Sequence, residues 1–115
     1  MEESIKYKIL KIYVSEDTRY KNHNLYNAIV FKLKELNIVG VTVTRGIAGY
    51  GHNKVIYTSR LVEMSSSLPI IIEAVDTKEN IERVLPCIKD MVKEGLVTVD
   101  DIDVIQMTNK WDFNS

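Results

Sequence analysis

The stretch Gly46-Ile-Ala-Gly-Tyr-Gly51 puts three glycines at the exit of a β-branched run. The side chains that could do chemistry crowd around it: Arg45 before, and His52, Lys54, Tyr57 and Arg60 after. Glycine repeated at this density means backbone at positive φ or backbone that comes close to another group, because only a residue without Cβ does both cheaply. Between residues 45 and 62 there are three Lys or Arg and no Asp or Glu, in a chain balanced at 15 basic against 16 acidic residues. Such a local cationic excess suits a small anion. The Gly-x-x-Gly-x-Gly spacing is neither the dinucleotide fingerprint nor a Walker A loop, and no acidic residue follows about 20 positions on to hold a ribose. The competing reading is a glycine-softened strand end that leads into a hairpin loop. The candidate ligand-binding residues are Arg45, Gly46, Gly49, Tyr50, Gly51, His52, Lys54 and Arg60.

Other chemistries find less support. An enzyme would need His52, Tyr57 and Arg60 as acid, base and anion clamp, and no nucleophile beside a base is legible. A metal-binding protein would have to use His23, His52 or Cys87, none of which are paired at metal-site spacing. Asp100, Asp101 and Asp103 lack the glycine and terminal glutamate of a calcium loop. No cofactor is named by any motif. A net charge of −1 argues against nucleic-acid binding through bulk electrostatics. The single cysteine cannot form an internal disulfide, and Met-Glu-Glu-Ser is no basic leader, so a cytoplasmic setting is expected. No apolar run approaches the roughly 20 residues that cross a bilayer.

The elements that would position the glycine stretch follow from periodicity. Residues 5–14 alternate at first and then turn apolar on both faces, as a strand buried along its later half does. A polar connection with His23 in solvent follows, with Asn22 or Asn24 to cap a helix. That helix carries Leu25, Ala28, Ile29, Leu33 and Leu36 on one stripe, with Tyr26, Val30 and Phe31 beside it. A second strand over residues 39–47 delivers Arg45 to the loop base. Residues 68–75 read as a central strand with Pro69 at its start. Asp76 and Glu79 then suggest a capping box ahead of a helix with Ile81, Val84, Leu85, Ile88 and Met91 on one face. Pro86 predicts a kink in that helix, and Gly95 its C-terminal cap. A fourth strand is expected from Ile102 through Met107, after a turn at Asp100-Asp101.

Strand, helix, strand, strand, helix, strand is the α+β, ferredoxin-like βαββαβ plan. It implies a four-stranded antiparallel sheet with strands one and three central and both helices on one face. At 115 residues the chain fits one domain, with a long loop over about residues 48–67 between strands two and three. Residues 50–67 of it are expected to be mobile, and Val55, Ile56 and Tyr57 could extend its hairpin or fold over a ligand. Central strands that are apolar on both sides leave one sheet face to be covered by other copies of the chain, so a homo-oligomer is expected.

The fragments Gly46-Ile-Ala-Gly-Tyr-Gly51, Leu68-Pro69, Glu73-Ala-Val-Asp76, Leu85-Pro86 and Glu94-Gly-Leu96, in this order and spacing, resemble the PII-like family of unknown function numbered 190. The likeness extends to the plan of the nitrogen-regulatory PII proteins. It implies a homotrimer of ferredoxin-like subunits whose loop base meets the neighbouring subunit, forming clefts for a small anionic effector, an adenine nucleotide among the candidates. It also implies a signalling role, with a membrane transporter such as a fluoride exporter as partner, and no covalent chemistry. PII proteins carry a glycine-rich phosphate loop before strand four, where this chain has only Lys93-Glu-Gly95-Leu-Val. Phosphate contacts would then fall to the Gly46–Gly51 stretch.

Overall fold

The computed structural model describes residues 6–50, 57–58 and 68–108. Its elements are β1 (Tyr7–Ser15), β2 (Arg19–Tyr20), β3 (His23–Asn24), α1 (Leu25–Glu35), β4 (Gly40–Arg45), β5 (Ala48–Gly49) and β6 (Tyr57–Thr58). They continue with β7 (Pro69–Thr77), α2 (Lys78–Met91) and β8 (Leu96–Ile102). The main sheet has the order β4-β7-β1-β8, antiparallel throughout. The first and third long strands are central and the other two form the edges, as expected.

Leu10, Ile12 and Val14 of β1 and Ile70, Ile72 and Ala74 of β7 face the same side, where Leu25, Ile29 and Leu33 of α1 and Ile81, Val84 and Ile88 of α2 cover them. The fully buried Ile and Leu side chains each contribute about 1.5–3 kcal/mol of hydrophobic stabilisation. That apolar face sets the strand register, since a one-residue slip would turn every core side chain to the other side.

Helix ends are fixed locally. In α1, Asn24 occupies the N-cap position but its side chain makes no capping bond; its Oδ1 accepts from Arg19 Nη1 at 2.8 Å instead. At the other end Asn37 takes φ 64°, and the N–H groups of Asn37 and Ile38 donate to the carbonyls of Lys34 and Leu33. This is a Schellman closure. Helix α2 is capped by Thr77, whose side chain accepts from Asn80 N. The cap lies one residue later than expected, because β7 runs on to Thr77 and Asp76 has another task. The helix continues through Pro86, whose ring is exposed.

The chain departs from the expected pattern at three places. The polar connection after β1 contains the small β2–β3 hairpin, with the exposed His23 in it. The fourth strand is Leu96–Ile102, so Asp100 and Asp101 lie in a strand opposite Ile9 and Lys8 rather than in a turn. Val104, Ile105 and Met107 lie beyond that strand. Lys8 Nζ donates to Asp101 Oδ1 at 2.8 Å. This bond raises the lysine pKa and lowers that of the carboxylate. Finally, α2 ends at Met91, with Val92 as its cap, so Gly95 does not cap it.

Gly95 has φ +154°, and a Cβ there would meet the Tyr13 carbonyl oxygen at 2.5 Å. The glycine lets β8 begin against β1. Gly95→Ala is expected to cost about 2–3 kcal/mol from backbone strain and a displaced strand start, read as a lower urea midpoint.

Candidate functional site

The glycine stretch sits where three strands end together. Arg45 closes β4 opposite Ile70, and Ser15 closes β1 opposite Pro69. The Glu16 N–H donates to the Leu68 carbonyl at 2.9 Å, and the Gly46 N–H to the Pro69 carbonyl at 2.8 Å. These bonds tie the root of the loop to the start of β7. Beyond it, Ala48 and Gly49 of β5 pair with Thr58 and Tyr57 of β6, so the hairpin does extend as Tyr57 suggested.

The Arg45 guanidinium is engaged within the chain. Its Nε lies 3.1 Å from Glu16 Oε2, and Nη2 donates to Glu16 Oε1 at 3.1 Å. This two-point fork is the strong form of the arginine–carboxylate contact. About half of the Arg45 side chain stays in solvent, against 21% of Glu16. Ile47 and Tyr50, next along the chain, are 79% and 69% exposed. Two large side chains at the loop root therefore have little cover from their own chain.

The described glycines of the stretch are explained by the chain itself. A Cβ on Gly46 would sit 2.7 Å from Pro69 Cγ, and one on Gly49 3.2 Å from the same atom. Neither has positive φ. Of the two reasons for glycine, close approach holds, and the group approached is the Pro69 ring. The Gly46 N–H is already used by Pro69 and so is no free anion donor. Gly51, His52, Lys54 and Arg60 lie outside the described residues, as do the side chain of Tyr57 and most of the segment expected to be mobile.

Glu16 and Pro69 are the site residues that sequence reasoning missed. Glu16 lies in an aperiodic polar stretch and Pro69 reads only as a strand start. Their roles depend on strand register, which places them beside Arg45 and Gly46. Two open clefts, of about 330 and 450 Å³, lie elsewhere. Leu25 and Met91 are among the residues that line one, and His23, Ala28 and Phe31 among those that line the other. Among the described residues no group of three or more His, Cys, Asp or Glu side chains could hold a metal ion, and no helix is long and apolar enough to cross a membrane.

The sheet face opposite the helices has no cover among the described residues. Register places Ile9 beside Val75, and Tyr13 between Ile71 and Leu96, on this face. Leu96 is 55% exposed and the other four are half-buried. Lys11 and Glu73 face each other among them, Nζ to Oε1 at 3.9 Å.

The fold, a four-stranded antiparallel sheet with two helices on one face, is similar to that of PII-like proteins. The chain belongs to the family DUF190, described as "Uncharacterized ACR, COG1993", whose model matches residues 7–104. The resemblance carried by the sequence fragments is thereby borne out. The chain is 43% identical over 101 residues to a UPF0166 protein of Methanocaldococcus jannaschii, covering 87% of this chain and 93% of that one. It is 39% identical over 103 residues to a UPF0166 protein of Aquifex aeolicus, covering 90% and 97%. Among solved structures it is similar to CPII, a nitrogen regulatory PII-like protein from Thiomonas intermedia K12 bound to ADP, AMP and bicarbonate. The TM-score there is 0.66 at 20% identity, over 88% of this chain and 90% of that one.

Proposed function

We propose that this chain is a PII-like regulatory protein of the cytoplasm, a single domain that assembles as a homotrimer. In this reading it binds a small anionic effector in clefts between subunits and passes the binding event to a partner such as a membrane transporter, without covalent chemistry. The observation that carries the reading is the loop root, where the Arg45 guanidinium is half exposed and Ile47 and Tyr50, next along the chain, are largely uncovered. An apolar sheet face without cover lies on the same subunit. Surface of this kind is buried in oligomers. A cleft completed by a neighbouring subunit would then combine an arginine fork, an aromatic ring and apolar walls.

Those features suit an adenine nucleotide, whose ring stacks on an aromatic or apolar surface and whose phosphate takes the fork. The CPII structure, bound to ADP, AMP and bicarbonate, makes these the first ligands to try. Arg45, Gly49 and Tyr50 are the proposed contacts among the described residues, with Gly51, His52, Lys54 and Arg60 proposed beyond them.

Thermal shift and calorimetry with ADP, AMP and bicarbonate on the purified oligomer test the reading, because a ligand specific to the folded state raises its melting point. We expect ADP to bind, and Arg45→Gln to weaken it by about fivefold to tenfold, the effect of losing one charge-assisted contact at a half-exposed position. Lys54→Gln should weaken it less, since a lysine is a point charge where an arginine is a two-point fork. Affinity equal in all three chains would reduce the basic stretch to a solvated surface.

A further inference from the structure

We propose that Glu16 is a built-in competitor for the anion site: its carboxylate occupies the Arg45 fork in the free protein, and an effector must displace it to bind. The proposal rests on the reading of Arg45 as an anion contact and adds how that contact is regulated.

Both bonds of the pair come from one edge of the guanidinium, Nε and Nη2, and end on the two oxygens of one carboxylate, each at 3.1 Å. Bicarbonate and a phosphate group present the same pair of oxygens at the same kind of spacing, so they compete for the same edge. Glu16 is well placed to compete. Its own N–H is bonded to the Leu68 carbonyl and its side chain is the more covered of the two, so little conformational freedom is lost when the pair closes.

The pair also spans the loop root, joining the residue after β1 to the last residue of β4. An anion that takes the guanidinium therefore does two things at once. It gains Arg45, and it breaks a side-chain tie between β1 and the strand from which the β5–β6 hairpin continues. Binding is thereby converted into freedom at the hairpin base, which a partner can read. The backbone ties at the root, Glu16 N–H to the Leu68 carbonyl and Gly46 N–H to the Pro69 carbonyl, involve no side chain and stay closed.

The test is calorimetric titration of ADP into four full-length chains: wild type, Glu16→Gln, Glu16→Asp and Glu35→Gln. Glu16→Gln removes the competing charge and should tighten ADP binding by roughly threefold to tenfold, the range set by a half-exposed ion pair together with the removal of a nearby like charge. Glu16→Asp keeps the charge but is one methylene shorter and cannot hold both bonds, so it should also tighten binding. Glu35→Gln removes the same charge from α1, away from the loop root, and should match wild type. If Glu16→Gln tightens binding and Glu16→Asp does not, Glu16 merely repels anions and the competitor is overturned. If ADP binds all four chains equally, the competitor is overturned while the nucleotide site stands. If ADP binds none of them, both fall.

Discussion

Ile71→Glu should leave the subunit folded and take the assembly apart. Ile71 lies on the uncovered sheet face, opposite Tyr13 on one side and Thr44 on the other, away from the core that α1 and α2 seal. In an isolated subunit the new carboxylate can reach water, so the fold should lose about 1 kcal/mol or less. In a trimer that packs this face against its copies, each subunit would bury an unpaired charge, at a cost of several kcal/mol per site. Light scattering at micromolar concentration should therefore report single chains for the variant, with an unchanged circular dichroism spectrum. ADP binding should vanish with assembly, because a subunit alone supplies only part of the proposed cleft. A variant that keeps the wild-type mass would show that this face is not the contact. Loss of both spectrum and mass would show that Ile71 belongs to the core.

The second large effect is expected at Asp76, which is 3% exposed. Its Oδ1 accepts from Thr77 N at 2.7 Å and Asn80 Nδ2 at 2.9 Å, while Oδ2 accepts from Val39 N at 3.0 Å. One carboxylate thus joins the end of β7, the first turn of α2 and the residue before β4. Asp76→Ala would leave these donors without their acceptor, at a cost of about 3 kcal/mol. For a chain of this size that is roughly 10 °C in Tm. Asp76→Asn keeps the shape and one acceptor oxygen but turns an NH₂ group toward Val39 N–H, so it should fall between wild type and Asp76→Ala. Because β4 carries Arg45, losses at Asp76 should also loosen the loop root. Equal urea midpoints for all three chains would contradict this role.

What was legible in the sequence is what local periodicity encodes. Leu25, Ile29 and Leu33, and Ile81, Val84 and Ile88, recur at helical spacing because one face of each helix is buried. The run from Leu68 to Val75 is nearly all apolar because Ile70, Ile72 and Ala74 pack under the helices while Ile71 and Val75 lie on the face the helices leave open. The errors fall where a residue's reason lies far away in the chain. Gly95 looks like a helix cap beside Lys93, but its reason is the Tyr13 carbonyl oxygen across the sheet. Asp100-Asp101 looks like a turn, yet an edge strand tolerates carboxylates where it meets water and Lys8. Asp76 looks like a cap because a carboxylate before a helix usually is one, and only the fold brings Val39 to it. At the site, Arg45 and its glycines stood out by type and spacing. Glu16, 29 residues from Arg45, and the Pro69 ring that the glycines accommodate became visible only with the register of β1, β4 and β7.

Native mass spectrometry of the wild-type chain with ADP reads assembly and nucleotide occupancy together in one spectrum. The expected species is a trimer of 13.2 kDa chains that takes up one nucleotide per chain at saturation. A single chain, or a trimer whose mass does not change with ADP, would contradict it.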